Sequence, residues 1–209
     1  MNTLISPAAA GAADMLAAVL NQIEVGVLIS DASGGLLHAN REAQTELDRG
    51  TFLRLGTPQD PRQLCVLTEC GPSAWHELRS AIEAAARHGR RRMVALRACG
   101  KVLLLTAVSL TGAGGERRAL LLLGRRRPCS QLGLEMFATT HGLTPAETRV
   151  LAGLLEGAKP DEIARQASVA ISTLRTQLSS LRAKLDAHRV EELLLRVAEI
   201  PPMAGALQA

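Results

Sequence analysis

Thr144-Pro-Ala-Glu147 constrains the chain most, because it opens a series of helix start and stop signals that leaves little freedom of register as far as Leu185. The threonine hydroxyl can accept from the third helical N–H, the glutamate can reach back to the cap, and proline suits the first helical position. Val150, Leu151, Leu154 and Leu155 supply the buried stripe of this helix, and Gly157 supplies a left-handed stop. A second helix begins at Pro160 and runs through Asp161, Glu162, Ile163 and Ala164 as far as Ala167. Ser168, Val169 and Ala170 leave room for a turn only. From Ser172 to Leu185, Leu174, Leu178, Leu181 and Leu185 recur on one helical face.

The opposite face of that last helix carries Ser172, Thr173, Arg175, Thr176, Ser179, Arg182 and Lys184. Two helices joined by a tight turn, the second presenting hydroxyl and guanidinium groups, form a helix-turn-helix whose second helix suits the major groove of DNA. The chemistry assigns expected roles. Arg175 suits a bidentate contact to guanine or a charged one to phosphate, Ser172 and Thr173 suit phosphate, and Gln177 suits adenine. Leu174 is either core or a contact to a thymine methyl, while Arg182 and Lys184 would meet the DNA backbone from later turns.

Upstream, apolar residues at Met15, Leu16, Val19, Leu20 and Ile23 give a helix over 14–22, after an alanine- and glycine-rich leader. Val25 to Ser30 and Leu36 to Ala39 are apolar runs on either side of Asp31 to Gly35, a hairpin turn, and Asn40 can cap a helix through Leu47. Loops and short helical turns are expected over 49–73 and a helix over 75–87. Three strands follow, 92–98, 102–110 and 119–125, which with the hairpin make a five-stranded antiparallel sheet. Arg125 to Arg127 and Pro128 close the last strand as a solvated end or a phosphate-facing linker, and Leu132 to His141 form a connecting helix stopped at Gly142.

Residues 143–198 resemble the LuxR-type (GerE-like) DNA-binding domain, matching at Leu143-Thr-Pro-x-Glu147, Val150-Leu151, Gly157, Glu162-Ile-Ala164, Thr173-Leu-Arg175, Leu178 and Lys184-Leu185. The resemblance implies four helices, the third reading DNA and the fourth, Val190 to Ala198, assisting dimerisation. The chain departs from the family at Lys159, where a capping Ser is usual, at Asp161, where a base is usual, at Ala170, another usual Ser, and at Gln177, often His. Lys159 joins the expected DNA-facing set. Gly26 to Asn40, with the phrase G-V-x-x-x-D-x-x-G-x-x-x-x-A-N, resembles a PAS domain over about 14–127.

The expected class is therefore α+β: a PAS-like five-stranded antiparallel sheet with helices, then an all-α four-helix helix-turn-helix domain. The expected divisions are a leader (1–13), a PAS-like sensor and dimerisation domain (14–127), a linker helix (128–142), the DNA-binding domain (143–200) and a tail (201–209). The expected function is a dimeric, sequence-specific transcription regulator acting on double-stranded DNA, with RNA polymerase a candidate partner. The alternative is a non-enzymatic scaffold that binds another regulator or polymerase without specific DNA recognition.

Between Phe137 and Ile200 eight basic residues face eight acidic ones, so two half-sites bound by a homodimer would compensate for weak single contacts. Aromatic residues make up only 1% of the chain, which argues against the aromatic-lined pocket of an acyl-homoserine-lactone receptor, and no phosphorylatable acidic constellation of a receiver domain is present. Cys65, Cys70, Cys99 and Cys129 show neither a CxxC pair nor zinc spacing, and the flavin phrase NCRFLQ is absent. His38, His76 and His88 could each ligate haem only as lone histidines, so no cofactor or metal is expected. A small apolar ligand between sheet and helices, or a pure protein-contact role, remain for the front domain. Cys70 or Ser73 with His76 lacks a third orienting group, so no enzyme is expected. Val102 to Leu110, the longest apolar run, is far short of the roughly 20 residues that span a bilayer, and a cytoplasmic protein is expected.

Overall fold

The computed structural model describes residues 7–57, 59–112, 114–125 and 128–202, which form two compact units divided after Arg126. In the first unit the order is α1 (Pro7–Asn21), β1 (Gly26–Ser30), β2 (Leu36–Ala39), α2 (Arg41–Arg49), β3 (Leu53–Leu55), β4 (Leu64–Val66), a 3-10 turn, α3 (Ala74–His88), β5 (Arg92–Ala98), β6 (Lys101–Thr111) and β7 (Arg117–Leu123). β2, β1, β7, β6 and β5 lie in that order in one wholly antiparallel sheet. Its inner face, with Leu28, Leu96, Leu103, Leu105 and Leu121 at most 2% exposed, packs on α2, α3, Phe52, Leu53 and Leu64. Leucine and alanine thus do the filling that aromatics do elsewhere.

Two local devices set this topology. Asp31 Oδ1 accepts from the Ser33 hydroxyl (2.6 Å) and from the Ser33 and Gly35 N–H groups, and Gly34 takes φ 92°, so the β1–β2 turn closes as its residues require. Burial works against the ionised Asp31 carboxylate, but the Ser33 hydroxyl and the turn N–H groups hold its pKa below the ordinary value. Asn40 is fully buried and satisfied four times. Its Oδ1 accepts from Ala43 N–H at 3.0 Å, capping α2, and from Val27 N–H at 2.8 Å. Its Nδ2 donates to the Leu20 and Val25 carbonyls. One side chain thereby fastens α1, β1 and α2 together.

Two expectations are corrected here. Residues 7–13 of the expected leader are helical, because Pro7 suits a first helical position and the alanines behind it carry the highest helix propensity. Residues 1–6 lie outside the described set. Within 49–73, expected to be loop, β3 and β4 pair as a small hairpin that buries Leu53 and Leu64. Of the 125–128 segment, Arg126 and Arg127 lie outside the described residues.

The second unit contains α4 (Gln131–Thr140), α5 (Pro145–Leu155), α6 (Pro160–Gln166), α7 (Ile171–Lys184) and α8 (Val190–Ala198). The four expected helices surround one core of Val150, Leu151, Leu154, Ile163, Leu174, Leu181, Leu193 and Val197. α4, expected as a connector, places Leu134 in the same core, with Ala138 also buried, so it is a fifth helix of this unit. Gly142, Gly157 and Ser168 adopt positive φ and turn the chain after α4, α5 and α6. Among the described residues no helix is long and apolar enough to cross a membrane.

Candidate nucleic-acid interface

α7 begins after a turn in which Ser168 sits at φ 54°, and its cap residue, Ala170, has no side chain to accept from the first helical amides. Ser172 does not take that role; its carbonyl instead accepts from the Thr176 hydroxyl at 3.2 Å. The start of α7 is therefore an uncapped, positively polarised helix end, the arrangement that favours a phosphate. Ser172, Thr173 and Arg175 are exposed beside it, and Gln177 is half-buried one turn further on. Leu174, Leu181 and Leu185 form the inner stripe, and Leu174 is 1% exposed. Of the two roles open to Leu174 it takes the core one, and a thymine contact is excluded by its burial.

Glu147 and Lys184 form a node that fixes α7 to α5. Thr144 and Glu147 make both halves of the capping box, with Thr144 N–H donating to Glu147 Oε2 at 2.7 Å and Glu147 N–H donating to Thr144 Oγ1 at 3.3 Å. The same carboxylate, 4% exposed, accepts from the Ser180 hydroxyl (2.7 Å) and from Lys184 Nζ (2.8 Å), which also donates to the Gly142 carbonyl. Burial opposes the charge on Glu147, but Lys184, Ser180 and Thr144 together hold its pKa at about 2. Lys184 was expected against DNA; its side chain, one third exposed, pairs with the buried Glu147. Arg182 is half-buried, with its Nε enclosed and without a hydrogen-bond partner among the described residues. Ser180 is the member of this node that periodicity missed, although its i,i+4 spacing from Lys184 was a usable signal.

Lys159 is exposed at the start of α6, where its backbone N–H donates to Glu162 Oε2 at 2.8 Å. Its side chain has no acceptor atom with which to complete a capping box. Asp161 and Glu162 in the first turn of α6 oppose an approaching phosphate, while Arg165, also exposed, lies in the last turn. The expected contacts thus separate into three groups. Ser172, Thr173, Arg175 and Gln177 gather on α7, Lys159 stands apart on α6, and of the rest Leu174 is in the core, Arg182 is half-buried and the partly exposed Lys184 is paired with Glu147.

The catalytic alternative finds no support in the thiols. Burial, with Glu69 nearby, raises the Cys70 pKa, and its Sγ donates to the Phe52 carbonyl at 3.8 Å, so it is a protonated packing group. Burial raises Cys65 in the same way.

No protein-family model matches the chain, and no curated protein sequence matches it. Solved structures similar to it include the VqmA–ligand–DNA complex of Vibrio cholerae, with 18% identity over 90% of this chain and 89% of that one and a TM-score of 0.39. A phage VqmA–DPO complex shares 15% identity over 92% and 91% of the two chains, with a TM-score of 0.38. The PAS domain of nitrogen regulation protein NR(II) from Vibrio parahaemolyticus shares 15% identity over 53% of this chain and 97% of that one, with a TM-score of 0.32.

Proposed function

We propose that the protein is a sequence-specific, DNA-binding transcription regulator that acts as a homodimer, with α7 entering the major groove. One observation carries this reading: α7 follows a tight turn with an uncapped N-terminus and exposes Ser172, Thr173 and Arg175 there while its leucines are buried. Arg175 is the base-reading residue in this proposal, Gln177 assists it, and Ser172, Thr173 and Lys159 serve phosphate. Lys184 is left to its ion pair with Glu147. The scaffold alternative draws on Asp161 and Ala170, but an uncapped helix start with an exposed arginine favours DNA over it.

Dimerisation is assigned to the first unit. Met15, Leu16 and Val19 on α1 and Met93, Val102, Leu104 and Leu110 on the outer sheet face are between 37% and 70% exposed. Together they offer on the order of 600 Å² of apolar surface per chain, near the ~800 Å² per partner of a standard interface. α8, the family's usual dimer helix, exposes only Leu195 among its large apolar residues. A protein-contact role suits the outer face, since the inner face of the sheet is filled by side chains such as Leu28, Leu96, Leu105 and Phe52 where a small apolar ligand would lie. RNA polymerase remains a partner by function alone.

The reading is tested by sequencing DNA fragments retained by the purified chain and by Arg175→Ala. A motif of two half-sites, lost in the variant, is the expected result. No enrichment by either protein overturns specific recognition.

A further inference from the structure

Eight positive and eight negative charges between Phe137 and Ile200 cancel, so the net charge of +4 resides elsewhere in the chain. Much of it gathers at one corner of the first unit. α3 ends at Gly89, φ 67°, where the Gly89 and Arg90 amides bond back to the Ala85 and Ala84 carbonyls and send Arg90 and Arg91 outward ahead of β5. β7 returns to the same corner, and Arg117 Nη1 donates to the Arg87 carbonyl at 3.4 Å. Arg92, the first residue of β5, donates from Nη1 to the Ser80 hydroxyl at 2.7 Å.

Arg87, Arg90, Arg91, Arg92 and Arg117 are all exposed. Among the described residues the one ion pair within this group is Arg87–Glu83 at 3.2 Å, exposed, and in the charge count Glu116 cancels against the adjacent Arg118. Five arginines against one glutamate leave four positive charges, equal to the excess of the whole chain.

We propose that this arginine corner is a second nucleic-acid contact, which binds the phosphodiester backbone of double-stranded DNA without regard to sequence. It rests on the reading of the chain as a DNA-binding regulator and adds counterion release to that of the helical unit, whose charges balance. The chemistry favours a duplex backbone over other polyanions. Single strands are held by stacking on aromatic side chains, of which the corner has none. A protein partner would be anchored by apolar or aromatic residues, and the segment Arg87 to Arg92 is arginine, histidine and glycine throughout. Guanidinium groups spread over three chain segments match a row of phosphates better than a single small anion.

The test uses the full chain on duplex DNA carrying its selected motif, with affinity followed across a salt series. Arg90→Ser with Arg91→Ser should lower the slope of log affinity against log salt by about 2 and the affinity at ~0.1 M salt by roughly 60-fold, with the motif unchanged. Arg90→Lys with Arg91→Lys, which keeps the charge, should hold the slope. An unchanged slope in the serine variant overturns the proposal. So does a serine variant that binds DNA normally but loses binding to polyglutamate, which would identify an acidic protein partner. If the wild type enriches no motif, the regulator reading fails, and the slope on random duplex still decides this one.

Discussion

Replacing Lys184 by Met removes the cation from a carboxylate that is 4% exposed and already accepts from Thr144 and Ser180. The Glu147 pKa of about 2, against 4.5 for a free carboxyl, corresponds to roughly 3 kcal/mol of native-state stabilisation from the whole node at neutral pH. Lys184 is the largest contributor to that lowering, but a third of its side chain meets solvent, so its loss should cost about 2 kcal/mol. The sign with pH follows from the depressed pKa: the stabilisation is present above pH 4.5 and is lost as pH falls from there towards 2.

A double-mutant cycle of Lys184→Met, Glu147→Gln and the pair, followed by chemical denaturation at 222 nm, should therefore show strong coupling at pH 7 that fades below pH 4. DNA binding supplies the second readout. A lysine engaged with Glu147 contributes nothing to phosphate, so Lys184→Met, measured cold where it remains folded, should keep the wild-type salt slope. Unchanged stability together with a slope lower by about 1 would show that Lys184 serves DNA and would refute the assignment.

Asn40→Ala strands the Val27 and Ala43 N–H groups and two carbonyls around a fully buried side chain and should cost about 3 kcal/mol, read by denaturation followed on Trp75 in the same unit. A cost below about 1 kcal/mol would mean that water replaces the side chain. Leu16→Glu combined with Leu104→Glu should yield a monomer by sedimentation that keeps its secondary structure, since both side chains are exposed, and that unfolds at a midpoint independent of protein concentration. A persistent dimer would move the interface to another surface.

The parts of the fold that sequence disclosed are those whose causes are local. The Asp31–Gly35 turn, the Asn40 cap and the Thr144–Glu147 box act over three or four residues; the turn forms where expected, and the two caps appear with their expected partners. β3 and β4 escaped notice because three residues are too few for alternation to register, and their pairing depends on what Leu53 and Leu64 meet in the core. Lys184 shows the same limit at the site. Periodicity places it on the polar face of α7, but a polar face says nothing about what stands across from it, and Glu147 lies 37 residues away in the chain.

The Lys184–Glu147 pair bears on how DNA affinity would be built. With Lys184 paired to Glu147, and Arg196 against Glu199 at 4.0 Å, six of the eight basic residues of the helical unit remain, set against as many acidic ones, and Asp161 stands beside Lys159. The balanced charge of this unit limits its net attraction for DNA, so its electrostatic contribution depends on which of its exposed cations meet phosphates. Selectivity by Arg175 can still be sharp, because base contacts discriminate without supplying most of the affinity. On the proposed reading, further affinity comes from a second half-site, which the apolar α1 and sheet faces would join, and from the arginines at the end of α3. The two sources separate by salt: loss of the dimer lowers affinity through lost avidity even at high salt, whereas loss of the arginines shows chiefly at low salt.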